Sequence, residues 1–156
     1  MSASLLWSLE RTTLLNPQSY HFMAKPNFTG TWKFNQSKSA LQIPAPESTT
    51  FVIAHSEPHF HLQRTHVFDG NSDTFSIDLT TDGKVVVIHH GGFEMHARAD
   101  WEGEALVFYS TLERGGEQAT NIVRYSLADD GQTFIAEERF QSQAHQHENK
   151  WVFDKQ

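Results

Sequence analysis

The stretch "HSEPHFHLQRTHVFDG", residues 55–70, carries four of the chain's ten histidines. Imidazole titrates closest to neutrality and is a common transition-metal ligand, so histidines at this density can move protons, hold a metal, or simply stand in water. His59-x-His61 and His145-x-His147 each set two imidazoles on one face of an extended chain, a chelating spacing. Other catalytic devices are missing from the sequence. It has no cysteine to act as a thiolate, no Gly-x-Ser-x-Gly elbow and no glycine loop of the kind that cradles phosphate. Which histidines can act together depends on where each one points, and therefore on the elements that carry them.

The bulk composition narrows the function classes. Twelve Lys and Arg against nineteen Asp and Glu give a net charge of −7, which argues against binding nucleic-acid backbones or anionic membrane surfaces. Apolar runs are too short to span a bilayer, and 156 residues suit one domain with a real core. Twelve Phe and four Trp imply a largely aromatic interior. The opening "MSASLLWSLERTTLLNP" lacks a basic n-region, and Glu10 and Arg11 interrupt its apolar run, so it reads poorly as a signal peptide and a cytoplasmic protein is expected. Leu5, Leu6, Leu9 and Leu14 follow the cap candidate Ser4 at helical spacing and Pro17 would stop them. Residues 1–26 are therefore expected to form a short helical extension, with Met23 an alternative natural start, and residues 27–156 the main domain.

Turn signals recur at short intervals along that domain: Asp69-Gly70, Asp82-Gly83, Gly91-Gly92, Glu102-Gly103, Gly115-Gly116 and Asp130-Gly131. Between them lie β-rich segments with period-two alternation, such as "DTFSIDL" and "ALVFYSTLE". About ten strands follow from "GTWKFN" to "KWVFDK", with no helical pattern between them. A meander of that length curls, and closing it removes its edges. The fold class expected is all-β: a closed up-and-down antiparallel barrel of about ten strands, the last pairing with the first.

"NFTGTWKFNQSKS" resembles the Gly-x-Trp opening of lipocalin-like (calycin) barrels, here Gly30-Thr31-Trp32. With "TTDGK" and "WVFDKQ", residues 27–156 are similar to an uncharacterised family of bacterial lipocalin-like proteins. The resemblance implies a calyx of eight to ten strands with a ligand-sized lumen, and no particular reaction.

Facing residues of an antiparallel pair share a side, so one secure strand orients its neighbours. In "DTFSIDL", Phe75, Ile77 and Leu79 must face in. Parity then turns Phe60, Leu62, Arg64, His66 and Phe68 inward, and with them His55, His90, Phe93, Met95, Ala97, Trp101, Phe108, Ser110, Asn121, Val123, Tyr125, Ala136, Glu138 and Phe140. His59, His61, His89 and His96 face out, His145 and His147 fall in a polar connection, and His55 reads as a hydrogen-bonded core residue. Strand direction gathers the polar inward residues toward the mouth, under the connection "SALQIPAPES", where Pro44, Ala45 and Pro46 suggest an ordered flap.

Several functions fit this cluster. One is a lumen that binds a small, largely apolar molecule with an anionic or carbonyl group, contacting Arg64, Ser110, Asn121 and Tyr125 and the aromatics Phe68, Phe93 and Phe140. Another is an enzyme, a hydrolase of small esters or phosphoesters or a proton-transferring isomerase, with His66, His90, Glu138 and Arg64 as catalytic groups. In its metal-dependent form His66, His90 and Glu138 would hold zinc or manganese as an open two-His-one-carboxylate site. An internal Arg64–Glu138 ion pair with histidines around water is a purely structural account, and a protein-interaction module is a further one. Every one of these readings stands on the register above.

Overall fold

A computed structural model describes residues 24–156. The expected helical segment falls mainly in residues 1–23 and lies outside the described part. Ten strands follow: β1 (Gly30–Phe34), β2 (Ser48–Ser56), β3 (His59–Phe68), β4 (Asn71–Thr80), β5 (Val86–His90), β6 (Phe93–Glu102), β7 (Ala105–Arg114), β8 (Glu117–Ala128), β9 (Thr133–Ser142) and β10 (Gln146–Lys155). Two short 3-10 turns, Gln36–Lys38 and Asp129–Gly131, are the helical elements of the described residues. All pairings between strands are antiparallel, in the order β4-β3-β2-β1-β10-β9-β8-β7-β6-β5. The hairpin signals act as their chemistry requires. At Gly91-Gly92 both central residues take positive φ, 56° and 79°, the twist that a tight two-residue turn needs.

The sheet rolls into a nearly closed barrel of the lipocalin-like (calycin) type, with β1 and β10 joining its sequence ends. One seam departs from full closure: β4 and β5 share no ladder among the described residues. It is fastened at both ends instead. Near the base, the chain leaving β4 pairs directly with β6, through an Asp82–Asp100 bridge and a Gly83 N–H to Ala99 carbonyl bond of 2.9 Å. Near the mouth, the His90 imidazole meets the Asp73 carboxylate at 3.1 Å across the gap.

Parity propagated from β4 matches the observed pairing, which sets Leu62 opposite Ile77 and Phe60 opposite Leu79. The base is solid. Phe28, fully buried, plugs it, stacked on His55 (5.7 Å, 20°) and Trp101 (6.0 Å, 15°) and edge-on to Phe60, Tyr125 and Phe134. The Trp32 indole N–H donates to the Phe28 carbonyl at 2.9 Å, so the tryptophan of the Gly-x-Trp motif locks the plug from below. His55 is the hydrogen-bonded core histidine expected. Its Nδ1 accepts from the Phe28 backbone N–H (3.2 Å), which leaves Nε2–H to donate to Glu57 at 2.7 Å. Burial works against the Glu57 carboxylate, yet the bonds from His55, Thr81 and Trp101 outweigh it and hold its pKa below the ordinary value.

Phe28→Ala removes the plug and leaves a cavity ringed by aromatic side chains. It is expected to cost about 3–5 kcal/mol in urea unfolding, whereas Val52→Ala, on the outer wall, should change stability by less than about 0.5 kcal/mol.

Candidate ligand site in the barrel lumen

Above the aromatic base the lumen opens into a cavity of about 140 Å³. Leu62, Phe75, Ile77, Met95, Ala97, Phe108 and Val123 line it together with the polar residues Arg64, His66, Ser110, Asn121, Tyr125 and Glu138. Pockets for drug-sized ligands run to roughly 300–1,000 Å³, so this one suits a head group with a short apolar segment. Larger depressions lie outside the barrel, such as one of about 600 Å³ beside the flap. They open to solvent among charged side chains including Arg124, Arg139 and Glu148.

The most heavily hydrogen-bonded polar group of the cavity wall is the Glu138 carboxylate on β9. It accepts three N–H bonds: Asn121 Nδ2 on Oε1 (3.0 Å), and Asn149 Nδ2 (3.0 Å) and Trp151 Nε1 (2.9 Å) on Oε2. Asn149, itself buried, also accepts from the Gln42 backbone N–H at 2.7 Å, and the Gln42 side chain takes the Glu148 N–H. The flap is thereby tied to the same carboxylate, and an Ala40–Lys150 bridge fastens it to β10.

Arg64 and Glu138 both line the cavity but form no ion pair. The guanidinium bonds instead to Asp73 (3.4 Å) at the rim and lies over the Phe75 ring at 5.2 Å. Burial lowers its pKa from the ordinary value, with Tyr125, Asp73 and Glu138 pulling the other way; an arginine stays a cation nonetheless. Opposite Thr49 in the β2–β3 ladder, His66 holds the fully buried Thr49 hydroxyl on Nδ1 at 2.6 Å. Burial, and then the neighbouring Arg64 charge, pull the His66 pKa from 6.5 to about 4, against the opposing influence of Asp73 and Glu138. His66 is therefore neutral at pH 7, and far from the value that suits a general base there. Burial pushes the Tyr125 phenol well above its usual range, a shift Arg64 opposes and Glu138 reinforces, so it stays a donor.

The remaining expected residues lie elsewhere. His90 shares the inward parity but sits on the rim, its ring edge-on to Phe75 (5.2 Å) and its Nε2 on Asp73. Phe68 and Phe93 are 43% and 37% exposed, and Phe140 stacks on His147 at 4.8 Å; none of the three lines the cavity. Phe68 and Phe93 stand at strand ends beside the mouth turns, where the strands run past the lumen into solvent, whereas Phe140 lies level with the cavity residue Asn121 but stacks on His147. His66, His90 and Glu138 do not form a metal triad, because each is committed to a separate partner: Thr49, Asp73 and the three N–H donors. Among the described residues no three His, Asp or Glu side chains are grouped to hold a metal. Outside the barrel, His61 pairs with Asp78 and His96 with Glu94, each at 2.7 Å, while His59 and His89 are exposed. Sequence reasoning missed Thr49, Asp73, Asn149 and Trp151. Asp73 was legible, since it extends the inward row of Phe75, Ile77 and Leu79 by one step.

No protein-family profile and no curated protein matches the chain in sequence. Solved structures do match in fold. Secretory abundant heat soluble protein 4 of Ramazzottius varieornatus is 18% identical with a TM-score of 0.58, over 83% of this chain and 94% of that one. Zebrafish ileal bile acid-binding protein in complex with cholic acid is 14% identical (TM-score 0.51; 83% and 98%). The Schistosoma mansoni fatty acid binding protein in complex with arachidonic acid is 9% identical (TM-score 0.52; 83% and 96%). The likeness is one of calycin-type barrel architecture, and it gives no support to the narrower bacterial assignment. No helix among the described residues is long and apolar enough to cross a membrane.

Two predictions follow from this geometry. Glu138→Ala strands three buried N–H donors and removes an anion facing Arg64. A loss of about 3–5 kcal/mol in chemical denaturation is expected, against less than about 0.5 kcal/mol for the exposed neighbour Glu137→Ala. His66 is the second case. As pH falls, the unfolded chain takes up a proton near 6.5, whereas the folded protein resists until about 4. The stability that neutral His66 contributes is complete above 6.5 and lost between 6.5 and about 4. Allowing for solvent screening, the loss is on the order of 2 kcal/mol, and denaturation curves of His66→Gln should lack that part of the pH slope.

Proposed function

We propose that the protein binds a small, largely apolar molecule in the barrel lumen, its anionic or carbonyl group held by Arg64, with His66, Asn121 and Tyr125 as further polar contacts. The observation that carries this reading is an internal cavity with apolar walls, into which a guanidinium, an imidazole, an amide and a phenol converge. A few convergent polar groups on an otherwise apolar wall are the ordinary make-up of a small-molecule site. Supporting it, two barrels of similar architecture are solved with cholic acid and with arachidonic acid bound. Leu62, Ala97, Phe108 and Val123 would take the apolar part of the ligand. Catalysis gains no comparable support: His66 is too acidic for base catalysis at neutral pH, and His90 stands apart on Asp73.

Native mass spectrometry of the purified protein tests this reading. A small organic molecule is expected at up to one per chain, and Ala97→Leu, which adds bulk to the cavity wall, should lower its occupancy at least tenfold while the fold survives by circular dichroism. Unchanged occupancy in Ala97→Leu would place the ligand outside the lumen. Turnover of chromogenic esters or phosphoesters, abolished by His66→Ala, would move the balance to an enzyme.

A further inference from the structure

Two buried polar atoms of the lumen have no hydrogen-bond partner among the described residues: Arg64 Nε, which can only donate, and Asn121 Oδ1, which can only accept. The orientation of the Asn121 amide is not arbitrary. Its other terminal atom lies 3.0 Å from the Glu138 carboxylate, an acceptor, so that atom must be the NH₂ and the oxygen is the one left over. Leaving a buried donor and a buried acceptor unpaired is costly, and both side chains belong to the wall of the same lumen cavity.

The two atoms make different demands. A carboxylate could accept from Arg64 but has nothing to donate to Asn121, and it would bring a second negative charge into a space that already holds Glu138, with Asp73 at the rim. An ester or ketone also leaves the Asn121 oxygen unpaired. The strands carrying the two residues, β3 and β8, lie five steps apart round the ten-stranded sheet, on opposite walls. Donor and acceptor are therefore best placed on different atoms of the ligand, rather than on one hydroxyl.

Building on the lumen-binding reading, we infer that the ligand's head group is neutral and of the amide type, a carbonyl facing Arg64 and an adjacent N–H facing Asn121. The site then selects amides or lactams over the carboxylic acids and esters of the same chain. Tyr125 and His66, both uncharged at neutral pH, complete a surround without a surplus positive charge to favour an anion.

Isothermal titration calorimetry of the full chain with hexanamide, hexanoate and methyl pentanoate, probes of similar length, decides the matter. Hexanamide is expected to bind at least tenfold more tightly than either of the others. Asn121→Leu should reduce its advantage over methyl pentanoate to less than threefold. Hexanoate or methyl pentanoate binding as tightly as hexanamide to the wild-type protein overturns the inference while leaving the lumen as a binding site. If none of the three binds, the lumen-binding reading fails, and this inference with it. The wild-type comparison stands even if Asn121→Leu does not fold.

Discussion

A carboxylate inside an aromatic barrel must find its hydrogen bonds within the protein, and much of the upper lumen is arranged around the three that Glu138 receives. Desolvating such a group without partners would cost several kcal/mol. Asn121 from β8 and Asn149 and Trp151 from β10 supply the donors, which fixes the rotamers of three side chains on both neighbours of β9. Through Asn149 the same node reaches the flap at Gln42. The flap and the polar wall of the cavity are therefore one hydrogen-bonded unit. A change at Glu138 should loosen both, so that binding and stability at this residue are not separable.

The barrel is asymmetric along its axis. At the base, Phe28, His55, Trp101 and Trp32 leave no space, and each polar atom of His55 is paired. Toward the mouth the same alternation of inward positions delivers Arg64, His66, Ser110 and Asn121, and a cavity remains. The difference follows from side-chain size and polarity at equivalent positions, since the backbone ladder is regular through both regions. Asp73 links this interior to the open seam. It serves Arg64 within the barrel and His90 across the gap, so the guanidinium is drawn to the rim and away from Glu138.

Strand number, turn positions and the direction of nearly every side chain were legible in the sequence, because a period of two leaves a single binary choice that Phe75, Ile77 and Leu79 settle for the whole meander. The separation of His66 from His59 and His61 followed from the same choice. Pairing inside the lumen was not legible. Parity says that Arg64, Glu138, His66 and His90 share a side of the wall, but not which of them touch; that depends on height along the axis and on side-chain reach. Hence an Arg64–Glu138 ion pair stood as one of the open accounts, whereas the partner of Arg64 is Asp73. Phe68 and Phe93 lie outside the cavity for a related reason, since parity carries no information about where a lumen ends, and Phe140 lies outside it because its ring stacks on His147.

A high-resolution crystal structure of the protein as purified tests the central claim most directly, because it shows what lies between Arg64 and Asn121. The account predicts continuous density for an organic molecule in the lumen, with one atom within hydrogen-bond distance of the Arg64 guanidinium and another near the Asn121 side-chain oxygen. A lumen filled only by ordered water that bonds to both groups, or an Arg64 side chain turned onto Glu138 with no space left between them, would contradict it.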